Sequence, residues 1–362
     1  MFVVITQCFP SRLGGIENLM GNIALNLSKK NKVIVLADRY QYLNDLVYDN
    51  QNKKKFLVKR YGGLKFLRKR KKVRDLKILL ESNDIKLIIA DTWKSLELSI
   101  DYINEKKIRS ICLAHGNELL DKKKKKINRI VNTLNKVSLI KANSNFTSSL
   151  VKRIINNKKK VEVVYPGANN LNNLESDNFF KINGYPVILT LGRLEKRKGH
   201  SKVLESIYKL RDSYPDIQYI IAGDGEEIEN LKKIVNKLNL KKNVNFVGSV
   251  NDNKKKYIFE NTTLMVMPTL DESENKSIEG FGIAYIEAAF FGIPSIASDV
   301  GGTPEAVIDK KTGIIIKKNA DLYLSIKDLL SDKEKFEILR INAKKRAIEH
   351  FDWKKTIDKY LN

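Results

Sequence analysis

The chain has 362 residues, of which 42% are hydrophobic, and this length predicts two domains of about 150 to 200 residues, each with its own core. Its net charge of +25 is uneven, because residues 1–180 hold 36 lysines and arginines against 16 aspartates and glutamates. No apolar run reaches the roughly 18 to 20 residues of a membrane span and the start lacks a signal-peptide pattern, so we expect a cytosolic protein.

Apolar, β-branched runs alternate with helical patterns along the chain, which predicts parallel, doubly wound sheets. Strands of the first half are predicted at Phe2–Cys8, Lys32–Ala37, Leu87–Ala90, Ser110–Ala114, Ser138–Ala142 and Val161–Tyr165. Helices are predicted there at Ile16–Lys29, Lys65–Leu80, Ser95–Glu105, Ile127–Asn135 and Phe146–Ile155. Cys8 and Cys112 are the only cysteines and lie near strand ends, so we expect buried, reduced thiols rather than a disulfide or metal site.

A polar, Asn-rich stretch from Ala168 to Asn183 precedes a second sheet. Its strands are predicted at Pro186–Gly192, Gln218–Ala222, Val244–Val247, Leu264–Met267, Ser295–Ser298 and Gly313–Ile316. Helices are predicted at Ser201–Arg211, Glu227–Leu238, Asn253–Asn261, Phe281–Phe291, Asp321–Leu330, Lys333–His350 and Trp353–Tyr360. The pattern predicts a first domain over residues 1–170, a linker over 171–184, a second domain over 185–345 and a C-terminal helix within 346–362.

A basic loop, Gly192–His200, follows the first strand of the second half. Ligands of open α/β sheets bind beyond the carboxyl ends of the strands, so this loop suits an anion. Arg193 can fork onto phosphate oxygens and Lys198 can supply a point charge, which suits a diphosphate. An ordinary basic turn is the alternative. We expect Arg197 and its neighbour Lys196 to be solvated, and His200 and His350 to lie on helix surfaces.

Two carboxylates, Glu279 and Glu287, bracket a glycine-rich helix start. The backbone N–H groups of Phe281, Gly282 and Ile283 can approach an anionic ligand there without side chains in the way. Glu287 follows about two turns after Glu279. The alternative for Glu279 is a structural carboxylate that is stabilised by the helix dipole.

Two further strand ends of the first half carry candidate residues. Gly14 and Gly15 precede a helix, and either bind a ligand or form a plain helix start. His115 ends a strand in the sequence Ala-His-Gly-Asn-Glu and is the most site-like of the three histidines, with a buried structural histidine as the alternative. Ser144 or Asn145 is expected to cap the following helix.

The spacing of Glu279 and Glu287 resembles the Glu-x7-Glu signature of retaining, nucleotide-sugar-dependent glycosyltransferases of the GT-B fold, family four, also called glycosyl transferases group 1. The Gly-Arg-x4-Lys-Gly loop at Gly192–Gly199 is similar to a basic loop of that family. Residues 114–118 resemble a His-Gly-x-Glu element of its phosphatidylinositol-mannosyltransferase-like branch. The likeness covers nearly the whole chain, and its motifs occur in the family's order.

This resemblance implies an α/β, GT-B architecture of two doubly wound Rossmann-like domains that face a central cleft, with the last helix returning to the first domain. It implies that Glu287 binds the ribose of the donor and that Glu279 and His115 contact the donor sugar. It also implies a donor-binding set made of Gly14, Gly15, Arg193, Lys198, Gly223, Val250, Phe281, Gly282 and Ile283. Gly223 lies in a Gly-x-Gly-Glu turn, for which a plain tight turn is the alternative, and Val250 in a segment whose backbone holds the base.

The implied reaction moves a hexosyl unit, with retention, from a UDP- or GDP-sugar to a hydroxyl of a lipid-linked or oligosaccharide acceptor in cell-envelope polysaccharide, lipopolysaccharide or glycolipid synthesis. No Asp-x-Asp and no Cys/His metal pattern occurs, so we expect no metal and no cofactor. A nucleotide-sugar epimerase of the same fold is the alternative enzyme.

Basic runs of the first half, such as residues 68–72, are either solvated or contact an anionic partner. Aromatic residues that would accompany nucleic-acid binding are largely missing from them, which disfavours that class. The segment 61–73 interleaves lysines with Phe66 and Leu67, so the first domain either binds the inner face of the membrane peripherally or turns those two residues to its core.

Overall fold

A computed structural model describes residues 1–157 and 159–362. The chain forms two compact units: residues 1–167 together with 353–362, and residues 168–352. Each unit is built around a parallel sheet flanked by helices, as the alternating sequence pattern predicted.

The first unit contains strands β1 to β7: Phe2–Thr6, Val33–Asp38, Leu57–Tyr61, Leu87–Ala90, Arg109–Ala114, Leu139–Ala142 and Val161–Val163. Its helices α1 to α7 are Gly15–Leu27, Tyr42–Asn52, Lys65–Ser82, Trp93–Leu96, Ile100–Glu105, Lys124–Lys136 and Asn145–Ile154. Within the described residues, the seven strands pair in the order β3-β2-β1-β4-β5-β6-β7. Phe2 of β1 pairs in parallel with Val33 on one side and Leu87 on the other.

Both faces of the first sheet are buried. Val3 and Ile5 of β1 pack into one apolar cluster with α3 to α7, while Val4 packs into a second cluster with α1. Since strand residues alternate between faces, a strand covered on both sides is a continuous apolar run. This explains why these strands were visible in the sequence.

The second unit contains strands β8 to β13: Val187–Leu191, Gln218–Ala222, Val244–Gly248, Leu264–Met267, Ser295–Ser298 and Gly313–Ile316. Its helices α8 to α14 are His200–Leu210, Ile228–Lys237, Asp252–Asn261, Ile283–Ala289, Thr303–Ala306, Leu322–Ser331 and Lys333–His350. The strands pair in the order β10-β9-β8-β11-β12-β13. The last helix of the chain, α15 (Trp353–Leu361), packs Trp353, Ile357 and Tyr360 into the α1-side cluster of the first unit.

Several local features differ from the sequence-based expectation. Strand β3 and helices α2 and α12 were not predicted, and the helix predicted at Ser95–Glu105 is two short helices, α4 and α5. Phe66 and Leu67 are 57% and 42% exposed, so the core-facing alternative for them is wrong. Both lie in the first turn of α3, where the chain leaves the sheet edge.

Candidate active site

The order of the strands reverses between β8 and β11 in the second sheet, and between β1 and β4 in the first. Open α/β sheets bind ligands outside the carboxyl ends of the strands at such switch points. In the second unit, the segments that leave β8 and β11 meet at this place. They are residues 192–199 and 268–282, and they contain five of the candidate residues, among them Lys198 and Glu279.

Glu279 is the centre of a charged cluster at this switch point. Its Oε2 accepts hydrogen bonds from Arg197 Nη1 at 2.7 Å and from Lys198 Nζ at 2.6 Å. Arg197 also bonds Glu195 at 3.1 Å, and Glu195 pairs with Arg193 at 2.8 Å. The cluster thus contains three cations and two carboxylates, and the structure brings together three of the predicted site residues.

Burial alone would raise the pKa of the Glu279 carboxyl, but the charges of Lys198 and Arg197 and their hydrogen bonds outweigh it and lower that pKa to about 2. Burial also lowers the pKa of Lys198. The charge of Glu279 raises that pKa and the charge of Arg197 lowers it, but burial is the largest effect. The two shifts favour opposite charge states of the pair. Because two cations share one carboxylate, Glu279 remains ionised at neutral pH.

Backbone contacts hold the two segments of the cluster together. Leu270 N–H donates to the carbonyl of Arg197 at 2.7 Å, and Gly302 N–H donates to the carbonyl of Glu279 at 2.9 Å. Gly301 has φ of +60°, and a Cβ added there would lie 2.2 Å from the Glu279 carbonyl oxygen. Only glycine therefore fits, and the close approach fixes the position of the carboxylate.

Arg197 corrects the sequence-based expectation of a solvated side chain. It is only 5% exposed, because its guanidinium lies between two carboxylates. Lys196 is exposed as expected, and Arg193 is exposed with its guanidinium on Glu195. The burial of Arg197 depends on a carboxylate 82 residues away, which no local pattern reveals.

His200 was expected on a helix surface, and that expectation is wrong. It is the first residue of α8, is 2% exposed, and both ring nitrogens are buried without a hydrogen-bond partner within the described residues. Burial, helped by the charge of Lys198, lowers its pKa to about 4. The ring is therefore neutral at physiological pH. His350, at the end of α14, is exposed as expected.

Glu287, on α11, is buried and paired rather than open to solvent. Its Oε1 accepts from Lys255 Nζ at 2.9 Å, and Lys255 also contacts Asp252 at 2.7 Å. Burial opposes the charge on Lys255, but the two carboxylates prevail and raise its pKa. Lys255 is a member of the site that the sequence analysis missed, since it lies one turn into α10 with no motif around it.

The glycine-rich segment before Glu287 begins α11 as predicted. Phe281 is buried against Phe351, and Gly282 is the N-cap with φ of +101°. Ile283 is the first helical residue. A side chain at Gly282 would collide with the ring of Tyr285, whose hydroxyl donates to the carbonyl of Met267 at 2.7 Å.

The turns after β9 and β10 lie beside the basic loop. Gly223 has φ of +140° and donates its N–H to the carbonyl of Gly248 at 2.8 Å, while a Cβ on it would lie 2.0 Å from the Gly192 carbonyl oxygen. Asp224 accepts from Ser249 N–H at 2.9 Å. Val250, predicted to lie near the base, is buried. Three successive strand ends therefore meet with their glycines in contact.

In the first unit, His115 is buried at the end of β5. Its Nε2 lies 2.9 Å from the carbonyl oxygen of Asp91. A carbonyl only accepts, so Nε2 of His115 carries a proton and donates it to this bond. The backbone N–H of His115 donates to Glu118 at 2.7 Å. Asp91 in turn accepts from Thr6 at 2.9 Å, which ties this turn to the end of β1.

Gly14 and Gly15 begin α1 after β1. Gly14 is the N-cap, and the carboxylate of Glu17 lies where a Cβ on Gly14 would be, while Gly15 faces open space. Glu17 is buried and pairs with Arg12 at 3.1 Å. Burial, with the charge of Glu17, raises the pKa of the neighbouring Cys8 thiol to about 12, so this thiol is protonated at neutral pH.

Two structural predictions of the first half can be checked directly. Ser144 caps α7 by accepting from Thr147 N–H, which confirms the predicted cap. Cys8 and Cys112 are both free thiols, of which Cys112 is fully buried and Cys8 partly buried.

Residues 1–157 and 159–362 contain no group of three or more His, Cys, Asp and Glu side chains arranged to hold a metal ion. In the same ranges, no helix is both long and apolar enough to span a membrane.

Residues 173–346 match the model of the family glycosyl transferases group 1. The GDP-mannose-dependent alpha-(1-6)-phosphatidylinositol monomannoside mannosyltransferase of Mycolicibacterium smegmatis is 23% identical over 373 residues, which cover 97% of this chain and 95% of that protein. A glycogen synthase of Mycobacterium tuberculosis is 28% identical over 168 residues, or 46% of this chain and 39% of the synthase.

Solved structures are similar over the full length. Anabaena HepE in complex with UDP-glucose has a TM-score of 0.78 at 21% identity and covers 100% of this chain and 99% of its own. Sucrose-phosphate synthase from Thermosynechococcus elongatus has a TM-score of 0.80 at 16% identity, with 99% and 97% covered. These likenesses confirm the predicted GT-B fold.

Proposed function

We propose that this chain, whose residues 173–346 form a glycosyl transferases group 1 domain, transfers a hexosyl unit, with retention and without a metal, from a nucleoside diphosphate sugar to a hydroxyl group. The observation that carries this proposal is the cluster of Glu279, Arg197 and Lys198 at the switch point of the second sheet.

The cluster has the chemistry that a diphosphate leaving group needs. Three cations against two carboxylates give it a net charge of +1. Lys198 and Arg197 are held by backbone contacts before any ligand arrives, so little reorganisation is needed when negative charge develops on the leaving oxygen. Arg193, on the exposed side of the loop, can close onto a phosphate by giving up its pair with Glu195, which is weak at a solvent-exposed site.

Glu279 is the residue that we assign to the donor sugar. Both cations bond its Oε2, so Oε1 can accept a sugar hydroxyl. Its low pKa keeps the carboxylate ionised, and an ionised carboxylate stabilises positive charge at the anomeric carbon. Glu287 is assigned to the ribose hydroxyls, with Lys255 keeping it charged and in place.

The relatives support a nucleoside diphosphate hexose as the donor. The mycobacterial relative is named for its use of GDP-mannose, and HepE was crystallised with UDP-glucose. In the proposed reaction the acceptor oxygen attacks the anomeric carbon on the face that the diphosphate leaves, and the leaving phosphate takes the acceptor proton. No metal is required, because Lys198, Arg197 and the N–H groups at the start of α11 face the developing charge.

For the acceptor we propose a lipid-linked or oligosaccharide hydroxyl used in making a cell-envelope glycan. The first unit carries most of the excess positive charge, and Leu64, Phe66 and Leu67 are exposed beside the basic residues of α3. Exposed apolar side chains with basic residues beside them are suited to peripheral binding to an anionic membrane. Co-sedimentation with vesicles should weaken when Phe66 and Leu67 are both replaced by serine, and should fade with salt.

The proposed function is tested by incubating the protein with UDP- and GDP-hexoses in excess EDTA. Release of the nucleoside diphosphate should require an added acceptor and persist without divalent metal, and the glycoside formed should keep the anomeric configuration of the donor by NMR. Inversion, or activity that only Mg²⁺ or Mn²⁺ restores, would contradict the mechanism. Isomerised donor without an acceptor would indicate an epimerase.

A further inference from the structure

A recess at the switch point of the first sheet contains cations that the proposed function leaves unassigned. It lies where β1 and β2 end, between α3 and α4, and is lined among others by Gln7, Lys69, Lys72 and Lys94. Its volume of about 20 Å³ admits roughly one water-sized atom, so one oxygen of a larger anion can enter while the rest of that anion stays at the mouth.

The three lysines of the recess differ in what they contact. Lys72 is satisfied, since its Nζ donates to the Thr6 carbonyl and to Asp38, both at 2.8 Å. Lys94 has no hydrogen-bond or ion-pair partner among the residues that the structure describes. Lys69 lies 3.7 Å from Glu97, and that carboxylate already accepts two bonds from Arg129.

The electrostatic state of these lysines favours an incoming anion. Burial lowers the pKa of Lys94, and Lys126 and Lys65 lower it further against Glu118. Burial also lowers the pKa of Lys69, more than Glu97 raises it. A half-buried ammonium among like charges is stabilised when a negative charge binds beside it.

A third donor is in the same place. The side-chain amide nitrogen of Gln7 is buried and has no acceptor within the described residues. Buried donors are nearly always satisfied in folded proteins, so an unpaired one that lines a recess indicates a missing acceptor. Lys69, Lys94 and Gln7 come from three different segments and converge on one opening.

We infer that this recess binds one oxyanion, a phosphate group carried by the acceptor, through Lys94, Lys69 and Gln7. Phosphate fits better than carboxylate because it offers more acceptor oxygens to donors that come from several directions. That the phosphate belongs to the acceptor rests on the proposed function. The site itself is on the first unit and does not use the charged cluster of the second unit. The phosphate belongs either to a soluble sugar phosphate or to a lipid headgroup.

The test is a lysine footprint on the full chain. The protein is treated with an amine-reactive reagent, and modification of Lys94, Lys69 and Lys198 is read by mass spectrometry. Separate samples contain millimolar glycerol 3-phosphate, phosphatidylglycerol vesicles, phosphatidylcholine vesicles, or UDP and GDP. Lys71, exposed on α3, is the internal reference.

The phosphate probe should slow modification of Lys94 about tenfold or more relative to Lys71, as one charge-assisted contact predicts. Protection by glycerol 3-phosphate identifies a soluble phosphate, and protection by phosphatidylglycerol vesicles alone identifies a headgroup. Calorimetric binding of the protecting probe, with nucleotide present, should weaken in Lys94→Gln and not in Lys71→Gln. Lys94 unprotected by every phosphate probe, or equal binding to both variants, overturns the inference.

The footprint separates this inference from the proposed function. Protection of Lys198 by UDP or GDP reports the nucleotide site alone. If Lys94 is protected and Lys198 is not, the phosphate site is supported and the nucleotide site is contradicted. If Lys198 is protected and Lys94 is not, the nucleotide site is supported and the phosphate site is contradicted.

Discussion

Replacing Glu279 by glutamine should destabilise the second unit, because it removes the carboxylate that compensates two buried cations. Arg197 and Lys198 would then face each other across an amide whose oxygen can still accept hydrogen bonds but carries no charge. Removing one member of a buried ionic group lowers the free energy of unfolding by more than the whole group contributes to it, because the remaining charges stay buried without a partner.

The size of the effect follows from the pKa of Glu279. A carboxyl whose pKa falls from 4.5 to about 2 on folding contributes about 3 kcal/mol at neutral pH. Because the folded pKa is depressed, this stability is present above pH 4.5 and is lost as the pH falls towards 2. The difference in free energy of unfolding between wild type and Glu279→Gln should therefore reach its full value at pH 7 and be about half as large at pH 3.

Differential scanning calorimetry measures the change. For a unit of this size, about 3 kcal/mol corresponds to a Tm lower by about 6 to 12 °C. Trp93 and Trp353 are the only tryptophans, and both belong to the first unit, so tryptophan fluorescence reports that unit separately. The matched control is Glu195→Gln, a partly exposed carboxylate of the same loop, which should cost less than about 1 kcal/mol. Equal Tm values for the two variants would show that Glu279 does not compensate the buried cations.

Two further changes test the buried part of the site. Because the pKa of His200 is lowered to about 4, the unfolded chain binds the proton first as the pH falls below 6.5, and wild type should lose about 1.4 kcal/mol between pH 7.5 and 5.5. In urea titrations at the two pH values, His200→Leu should lack this loss and His350→Asn should keep it; a loss retained in His200→Leu would be inconsistent with the buried, neutral ring. Gly301→Ala forces a Cβ onto the Glu279 carbonyl at positive φ and should cost about 1 to 3 kcal/mol, whereas Gly15→Ala, which faces open space, should be nearly neutral by thermal unfolding. An unchanged Tm for Gly301→Ala would show that this contact does not fix Glu279.

The sheets could be predicted from the sequence because most strands are buried on both faces and so are apolar throughout, as Val3, Val4 and Ile5 show. Strand β3 escaped because it is the edge strand and carries Lys59 and Arg60. Helix α2 escaped because its apolar residues face solvent. Neither element has the apolar pattern of a buried strand or helix. Since the prediction depended on that pattern, both elements were missed.

The sequence pointed to the places where candidate side chains meet when a motif marks a strand end, as at Lys198 and His115, or a helix start, as at Glu279. The site was not predicted where a role depends on a partner far along the chain. Arg197 and Lys255 are buried beside carboxylates that lie 82 and 32 residues away in the sequence. From the sequence alone, a charged side chain is predicted to be solvated. Its ion-pair partner becomes known only when the fold brings the two residues together.

We expect the switch point of the second unit to bind a nucleoside diphosphate sugar through Lys198 and Glu287. Calorimetric titration of UDP-glucose, GDP-mannose and the corresponding nucleosides into wild type and two variants measures this binding. One sugar nucleotide should bind wild type with 1:1 stoichiometry. Lys198→Ala should weaken the binding of that sugar nucleotide about tenfold or more while leaving nucleoside binding unaffected, and Glu287→Ala should weaken both. Unchanged affinity in both variants would show that these residues do not form the nucleotide-sugar site.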